Sequence, residues 1–250
     1  MVRSASQHSL VFVSGKDSGL AIWEKPVKGV RYTLGLDAAT GLYTDFTVMQ
    51  VVTNTMPFTQ VARFRNKIGA NRATDLAYDL GTYYNTAMMV CEINYPGNSV
   101  QDGLLKMGYP RNYQPEDTLD DDPHISSKFG YLTTEAKKWL LIREMLELLK
   151  NKEVVFNDIT TIDEFASFIF IEDRGKTGAM QGLNDDCVIA MLLACHGAKL
   201  WPQAPMVDRS VEDKRLLKTT DDERQIRAIM ERFNQRIVQR GGQLEGAIAI

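Results

Sequence analysis

One short stretch constrains the fold more than any other: an apolar run that ends in a carboxylate and is followed by a turn. Tyr32–Asp37 forms this run, and an Ala-Ala-Thr-Gly turn follows it. A run of this length between glycine-containing turns predicts a buried strand rather than a helix. A second β-type run covers residues 45–52. The two runs predict a hairpin at the centre of a sheet, with Asp37 at the end of a strand.

The rest of the chain predicts an α/β domain. Helical spacing over residues 70–84 predicts a crossover helix, which returns the chain to a strand at 87–92 that again ends in an acid, Glu92. A polar, solvated loop with an acidic cluster at 120–122 is expected over 110–130. The other predicted elements are strands at 9–14, 20–23, 59–65 and 154–156, helices at 99–107, 134–151 and 162–165, and a hairpin formed by 168–171 and 179–181.

Two helices have apolar patterns that predict burial. The helix at 134–151 has a single apolar stripe, composed of Trp139, Ile142, Leu146 and Leu149. We expect this stripe to lie in the core and Thr133 to cap the helix. A second helix, from Cys187 to Cys195 and ending at Gly197, is apolar nearly all round. Such a helix is predicted to be sandwiched between other elements.

Length and composition favour a soluble globular protein. The chain has 250 residues, 44% of them hydrophobic, which suits either one large α/β domain with an appendage or two small domains. No run approaches the roughly 18 apolar residues of a membrane span, and the first residues lack the apolar region of a signal peptide. We therefore expect a cytoplasmic protein that is not secreted and has no membrane partner. The net charge of −3 argues against binding nucleic acid by bulk charge alone.

Cysteine and histidine usage argues against zinc, disulfide and nucleophilic-triad chemistry. The three cysteines, which form no CxxC pair, are Cys91, Cys187 and Cys195. We expect all three to be core residues. The three histidines are scattered, at His8, His124 and His196, without a convincing Ser-His-Asp or Cys-His arrangement. For His196 we expect a core or capping role.

Carboxylates recur where the predicted elements begin or end. Asp37 and Glu92 end strands, whereas Asp185 and Asp186, after Asn184, open the apolar helix. Helix capping alone explains the second group. With the strand-end acids, however, the group predicts one cluster, and three or four close carboxylates cannot all stay ionised without cations. Hard oxygen ligands select Mg²⁺ or Mn²⁺, and two such ions about 4 Å apart provide the machinery for phosphodiester hydrolysis.

In their order and spacing, these pieces resemble the nuclease domain of the large subunit of tailed-phage terminases, which has a ribonuclease H-like fold. The resemblance covers roughly residues 20–200. The matching segments are 32–41 followed by 45–47, Glu92 with Asn94 and Gly97, 130–149, and 182–186 before the apolar helix. The resemblance implies a ribonuclease H-like mixed β-sheet with helices on both faces, plus a C-terminal helical tail.

By this resemblance, the chain is an endonuclease that cuts concatemeric viral double-stranded DNA during genome packaging and uses two Mg²⁺ or Mn²⁺ ions. The implied catalytic residues and metal ligands are Asp37, Glu92, Asp185 and Asp186. Which of the last two binds metal directly is left open by the sequence. Asp45 stands where a further acid near the site often occurs, and Asn184 stands where the family often has a histidine.

Basic residues at the tip of the 168–181 hairpin, Arg174 and Lys176, are candidates for contact with the DNA backbone, with a solvated turn as the alternative. A domain boundary is expected near residue 205. It separates a nuclease domain over 1–205, with lead-in strands at about 8–29, from a charged tail over 206–250. A capped amphipathic helix at 220–240 is predicted in the tail, with the stripe Ile226, Met230, Phe233 and Ile237.

The resemblance also implies partners. A portal protein is the first choice for the tail, and a terminase ATPase or small subunit is also implied, in the cytoplasm of an infected bacterium. No GxxxxGK[ST] loop occurs in the chain. We therefore interpret it as the nuclease half of a terminase, made as a fragment or encoded separately.

Two other readings remain open. A junction resolvase or transposase-like nuclease of the same fold would use a similar set of acids. A non-catalytic packaging or scaffold module would use them only for caps and turns. Cleavage of plain duplex DNA without junction preference would distinguish a terminase nuclease from a resolvase. A non-catalytic module should show no rise in melting temperature when divalent ions are added.

Overall fold

The structure, a computed structural model, describes residues 11–12, 19–41, 45–115, 129–171, 176–180 and 182–203. Its strands are β1 (Val11–Phe12), β2 (Leu20–Ile22), β3 (Tyr32–Asp37), β4 (Thr47–Thr53), β5 (Phe58–Asn66), β6 (Met88–Cys91), β7 (Val154–Val155), β8 (Phe168–Ile171) and β9 (Lys176–Ala179). Its helices are α1 (Ala70–Tyr83), α2 (Gly97–Lys106), α3 (Glu135–Asn151), α4 (Ile159–Ala166) and α5 (Asp186–Leu200).

Seven of the described strands form one mixed sheet in the order β1-β2-β5-β4-β3-β6, with β7 paired to β5, and β8 and β9 form a separate hairpin. β3 pairs antiparallel with β4, with Asp37 opposite Val48, which confirms the predicted central hairpin. On its other side β3 pairs parallel with β6, with Leu36 opposite Cys91. The C-terminal ends of β3 and β6 therefore lie side by side at one edge of the sheet.

The sheet separates two apolar cores. On one face, Leu34 and Leu36 of β3 pack with α1 and α2 around Leu76 and Leu80. On the other face, α5 covers β3 and β4, and α3 and α4 pack against α5. α5 is buried nearly all round, as its apolar sequence predicts. The described residues therefore confirm a mixed sheet with helices on both faces.

Gly35 determines how closely α5 approaches β3. A Cβ atom at this position would collide with the backbone of Ala190 and Ala194. Further along α5, a Cβ atom on Gly197 would collide with the side chains of Val90 and of Thr33, which lies earlier in β3. The helix thus runs antiparallel to β3. Its N-terminus is placed at the end of the strand where Asp37 lies.

The predicted core stripe of α3 is wrong. Trp139, Leu146 and Leu149 are 44%, 59% and 42% exposed, and only Ile142 of the predicted set is partly buried. The face that packs on α5 instead consists of Leu141, Met145 and Leu148. Both stripes have helical spacing, so periodicity alone could not tell which one faces the core.

Several predicted boundaries also need correction. Thr134, not Thr133, caps α3, because its side chain accepts a hydrogen bond from the backbone N–H of Lys137. α5 continues through Gly197 to Leu200, since the glycine is needed for close packing rather than for a helix end. α4 begins before residue 162, and the second hairpin strand begins at residue 176. Part of the predicted loop, around Asn112, forms a bridge to Met89 of β6.

Cys91, Cys187 and Cys195 are buried and free, as predicted for core residues. Among the described residues, no helix is long and apolar enough to cross a membrane. Several predictions lie outside the described residues: His8, His124, the acidic cluster at 120–122, Arg174, and the tail with its helix at 220–240. The domain boundary at residue 205 stays a prediction.

Candidate active site

Two of the predicted site acids meet at the sheet edge where β3 and β6 end. Asp37 is the last residue of β3, and Glu92 follows directly after β6. The backbone N–H of Glu92 donates to the carbonyl of Leu36 at 2.9 Å, which extends the parallel pairing by one residue. The carboxyl groups of Asp37 and Glu92 lie within hydrogen-bonding reach of each other. Two like charges this close repel each other when no cation is present.

The other two acids come from the start of α5. Asp186 lies in the first helical turn, and its Oδ2 accepts a hydrogen bond from the backbone N–H of Phe46 at 3.1 Å. Asp185 occupies the N-cap position but makes no side-chain capping hydrogen bond. That role falls to Glu164 of α4, whose Oε2 accepts from the backbone N–H of Cys187 at 2.7 Å. The side chain of Asp185 is therefore not used as a helix cap.

These acids lie close enough to one another for their charges to interact. The pKa of Asp37 is raised well above its usual value, first by burial and then by the charges of Glu92 and Asp186, with the hydrogen bond to Glu92 and the charge of Asp185 adding to the effect. Burial also raises the pKa of Asp186 to about 6. The backbone N–H of Phe46 works against that rise. A divalent cation would relieve the repulsion behind both shifts.

Asp45, predicted as a further acid near the site, is exposed but lies close enough to contribute to the raised pKa of Asp186. The structure thus brings Asp37, Glu92, Asp185 and Asp186 together, with Asp45 at the margin.

The donor chemistry of the cluster fits a hard divalent cation, because every candidate ligand is a carboxylate oxygen. Among the described residues, however, no three His, Cys, Asp or Glu side chains are already arranged around one metal position. Two of the carboxylates are held by other partners, Asp37 by Glu92 and Asp186 by the Phe46 backbone. Because the pKa of Asp37 is raised, metal binding and protonation compete at this carboxylate.

A largely buried charged network lies next to Asp186 and the start of α5, and the sequence did not reveal it. Nη2 of Arg65 lies 3.3 Å from Oε1 of Glu164. The same guanidinium stacks on the ring of Phe46, with its carbon 3.5 Å from the ring centroid. Arg65 therefore connects the residue that caps α5 with the residue whose N–H holds Asp186. No local motif marks this network, because its members come from three separate elements.

A buried cation, Lys138 of α3, was also missed. Its Nζ lies 3.5 Å from Oδ2 of Asp185 and donates to the carbonyl of Thr177 at 2.9 Å. The adjacent Lys137 and Lys138 looked like ordinary surface positions on a helix. A helix register set by Leu141 and Met145 would have shown that Lys138 faces α5.

His196 has the predicted core role. Its Nδ1 lies 2.8 Å from Oε2 of Glu144, and its ring packs edge-on against Tyr113 and Tyr131. Of the two proposed DNA-binding residues, Arg174 lies outside the described residues, and only the backbone of Lys176 is described, in β9. The prediction for this hairpin tip remains as it stood.

The mixed sheet, the helices on both faces and the acids at the β3 edge define a ribonuclease H-like α/β domain. No family model and no curated protein matches the sequence. Solved structures do match. The magnesium-bound large terminase nuclease of thermophilic phage G20c aligns with a TM-score of 0.56 and 19% identity, over 70% of this chain and 86% of that one.

Two further matches are similar. Another structure of the G20c large terminase nuclease has a TM-score of 0.56 and 20% identity, over 71% of this chain and 88% of that one. The large terminase nuclease domain of Thermus phage P74-26 has a TM-score of 0.54 and 19% identity, over 70% and 84%. The predicted resemblance is confirmed, and at this identity it is a likeness of fold. The chain has the fold of a large terminase nuclease domain.

Proposed function

We propose that the chain is a metal-dependent endonuclease that cuts concatemeric viral double-stranded DNA during genome packaging, as the nuclease half of a large terminase. The observation that supports this most strongly is the convergence of acids from three elements. Asp37 and Glu92 end neighbouring parallel strands, and Asp185 and Asp186 begin the helix that runs back over β3. A solely structural cluster of this kind would repel itself.

In this proposal, two Mg²⁺ or Mn²⁺ ions are held by Asp37, Glu92, Asp185 and Asp186. When bound, they would activate the attacking water and stabilise the leaving oxygen. The chain itself supplies the rigid frame. β3 and β6 fix the first two acids in register, the Phe46 N–H orients Asp186, and Glu164 satisfies the start of α5. Oriented carboxylates bind ions without first having to be ordered.

The remaining roles follow from the same proposal. Double-stranded DNA is the substrate, and Arg174 and Lys176 contact its phosphates. The tail over 206–250 binds the portal protein, and the chain works with a terminase ATPase or small subunit in the host cytoplasm. Replacing Arg174 and Lys176 by Ala should weaken DNA binding equally at all sequences and flatten its salt dependence. If the dependence of DNA affinity on salt concentration is unchanged, the hairpin tip is a solvated turn that does not contact DNA.

The test of the proposal is nicking of supercoiled plasmid by the purified protein with Mn²⁺. We expect nicked and linear products that disappear when chelator is added. Asp37→Asn should abolish them, whereas the matched change Asp102→Asn, on the exposed face of α2, should not. Metal-independent cleavage, or none by the wild type, would contradict the proposal.

A second substrate separates the terminase reading from a resolvase. Plain duplex and a four-way junction of the same sequence are offered in one reaction. We expect no preference for the junction. A strong preference for the junction would favour the resolvase, while the site residues would remain the same.

A further inference from the structure

Lys138 places a cation of the protein itself beside the acid cluster at the edge of the sheet. Its side chain is only 13% exposed. Its ammonium contacts three elements: the carboxylate of Asp185 at the start of α5, the carbonyl of Thr177 in β9, and the ring of Phe168 in β8, whose centroid is 5.2 Å away. A buried ammonium is tolerated only when it is paired in this way.

The position of Lys138 is fixed from both sides along α3. Thr134 caps the helix one turn before it, and Leu141 and Met145 bury the next turns against α5. The backbone of Lys138 is therefore held in place, and its ammonium is held by Asp185 and by the carbonyl of Thr177. Oδ2 of Asp185 also lies beside Gly178 of β9, at 3.5 Å from where a Cβ atom would stand.

Among the four site acids, Asp185 is the one for which the described residues show an ion pair with a cation of the protein itself. Asp37 instead faces Glu92, and Asp186 is held by a backbone N–H. An incoming divalent ion that uses Asp185 must compete with the ammonium of Lys138. The presence of that charge also weakens every cation site within several ångströms.

We propose that Lys138 is a positioning residue of the acid site: it fixes Asp185 and the β8–β9 hairpin beside the cluster, and it competes with a metal ion for Asp185. This inference rests on the proposed function, since it assumes that the cluster binds divalent ions. It assigns Lys138 no contact with substrate. Its consequence is that the affinity of the site for metal is set partly by a lysine on a neighbouring helix.

The test is calorimetric titration of the whole chain with Mn²⁺ in the absence of DNA. Lys138→Met keeps the length of the side chain but removes its charge, so Mn²⁺ should bind about five- to tenfold more tightly. Lys138→Arg, which keeps the charge, should stay within about threefold of wild type. The matched control is Lys150→Met, an exposed lysine of the same helix, which should bind as wild type does.

A double-mutant cycle shows whether the effect passes through Asp185. In an Asp185→Asn background, Lys138→Met should no longer tighten Mn²⁺ binding appreciably. Equal tightening in both backgrounds, or wild-type affinity for Lys138→Met, would overturn the inference. If the Met variant does not fold, Lys138→Gln takes its place, because this side chain is polar but carries no charge.

Hydrogen exchange in the metal-free protein tests the positioning role separately from metal binding. The backbone amides paired between β8 and β9 should exchange about tenfold faster in Lys138→Met than in wild type, and no faster in Lys150→Met. Unchanged exchange would remove the positioning claim. If the wild-type protein binds no Mn²⁺, the proposed function itself is contradicted. If the wild type binds Mn²⁺ and Lys138→Met binds it with the same affinity, only this inference is contradicted.

Discussion

Asp37 and Glu92 stand one place beyond the paired residues of two parallel strands, and their carboxyl groups lie within hydrogen-bonding reach of each other. When two acids lie this close inside a protein, ionising both costs free energy. The pKa of Asp37 is raised for this reason, first by burial and then by its acidic neighbours.

We therefore expect Asp37→Asn to stabilise the metal-free protein at neutral pH. A raised pKa means that the folded state holds its proton more tightly than the unfolded state, so stability from this group is lost as pH rises above about 4. The variant should unfold at a higher temperature than wild type at pH 7, by an amount worth about 1–2 kcal/mol. The gain should vanish near pH 3, where Asp37 is neutral in both the folded and the unfolded protein, as Asn is. Thermal unfolding with chelator present measures it, and a less stable variant at pH 7 would refute the electrostatic account.

The pair Glu144 and His196 should show the opposite pH dependence. Burial alone would raise the pKa of Glu144, but the hydrogen bond and charge of His196, together with Lys199, outweigh burial and lower it. A lowered folded-state pKa gives stability that is present above the unfolded pKa of about 4.3 and is lost as pH falls below it.

Glu144→Gln should accordingly lower the free energy of unfolding at pH 6, and the difference from wild type should shrink toward pH 3. Chemical denaturation at several pH values measures this. Glu147→Gln, an exposed acid three residues further along α3, serves as the control and should have little effect. Equal effects of the two substitutions would show that the contact with His196 contributes nothing.

The corrected face of α3 gives a prediction with a matched pair. Leu141 is 1% exposed, whereas Leu146 is 59% exposed. Leu141→Ala should lower the free energy of unfolding by about 2–4 kcal/mol, because it leaves a cavity in the core. Leu146→Ala should change it by about 0.5 kcal/mol or less. Urea denaturation of both variants decides between the two faces, and a larger loss at Leu146 would restore the stripe predicted from the sequence.

The network behind the acids can be tested at Glu164. Glu164→Gln keeps an oxygen for the backbone N–H of Cys187 but leaves the guanidinium of Arg65 without its carboxylate. Removing one partner of a buried ion pair typically destabilises by about 3–5 kcal/mol, and we expect the lower end because Arg65 keeps its contact with Phe46. Asp163→Asn, the exposed neighbour in α4, is the control. A loss no larger than that of the control would mean that Arg65 does not depend on Glu164.

How far the sequence predicted this molecule depends on whether the signal was local. β3, its hairpin with β4 and the acids at Asp37 and Glu92 were predicted, because a short apolar run that ends in an acid is visible within a few residues. The convergence of Asp185 and Asp186 on those acids was predicted from their order and their resemblance to a family. The outward face of α3 was not, because two apolar stripes compete and only packing on α5 selects one.

The supporting residues of the site escaped prediction for a related reason. Glu164 caps a helix that begins more than twenty residues later in the chain, and Lys138 reaches Asp185 across the interface of α3 and α5. Neither contact has a sequence signature, since each depends on how separate elements dock. Acids at the ends of elements are thus easier to predict than the residues that support them.

The most direct measurement of the central claim is an anomalous difference map from crystals of the whole chain soaked in Mn²⁺. The account predicts manganese peaks at bonding distance from the carboxylates of Asp37 and Glu92 and from at least one of Asp185 and Asp186, and the loss of those peaks in Asp37→Asn. The same map would identify which of the two helix acids is a ligand. Full manganese occupancy elsewhere with no peak among these four carboxylates would contradict the account.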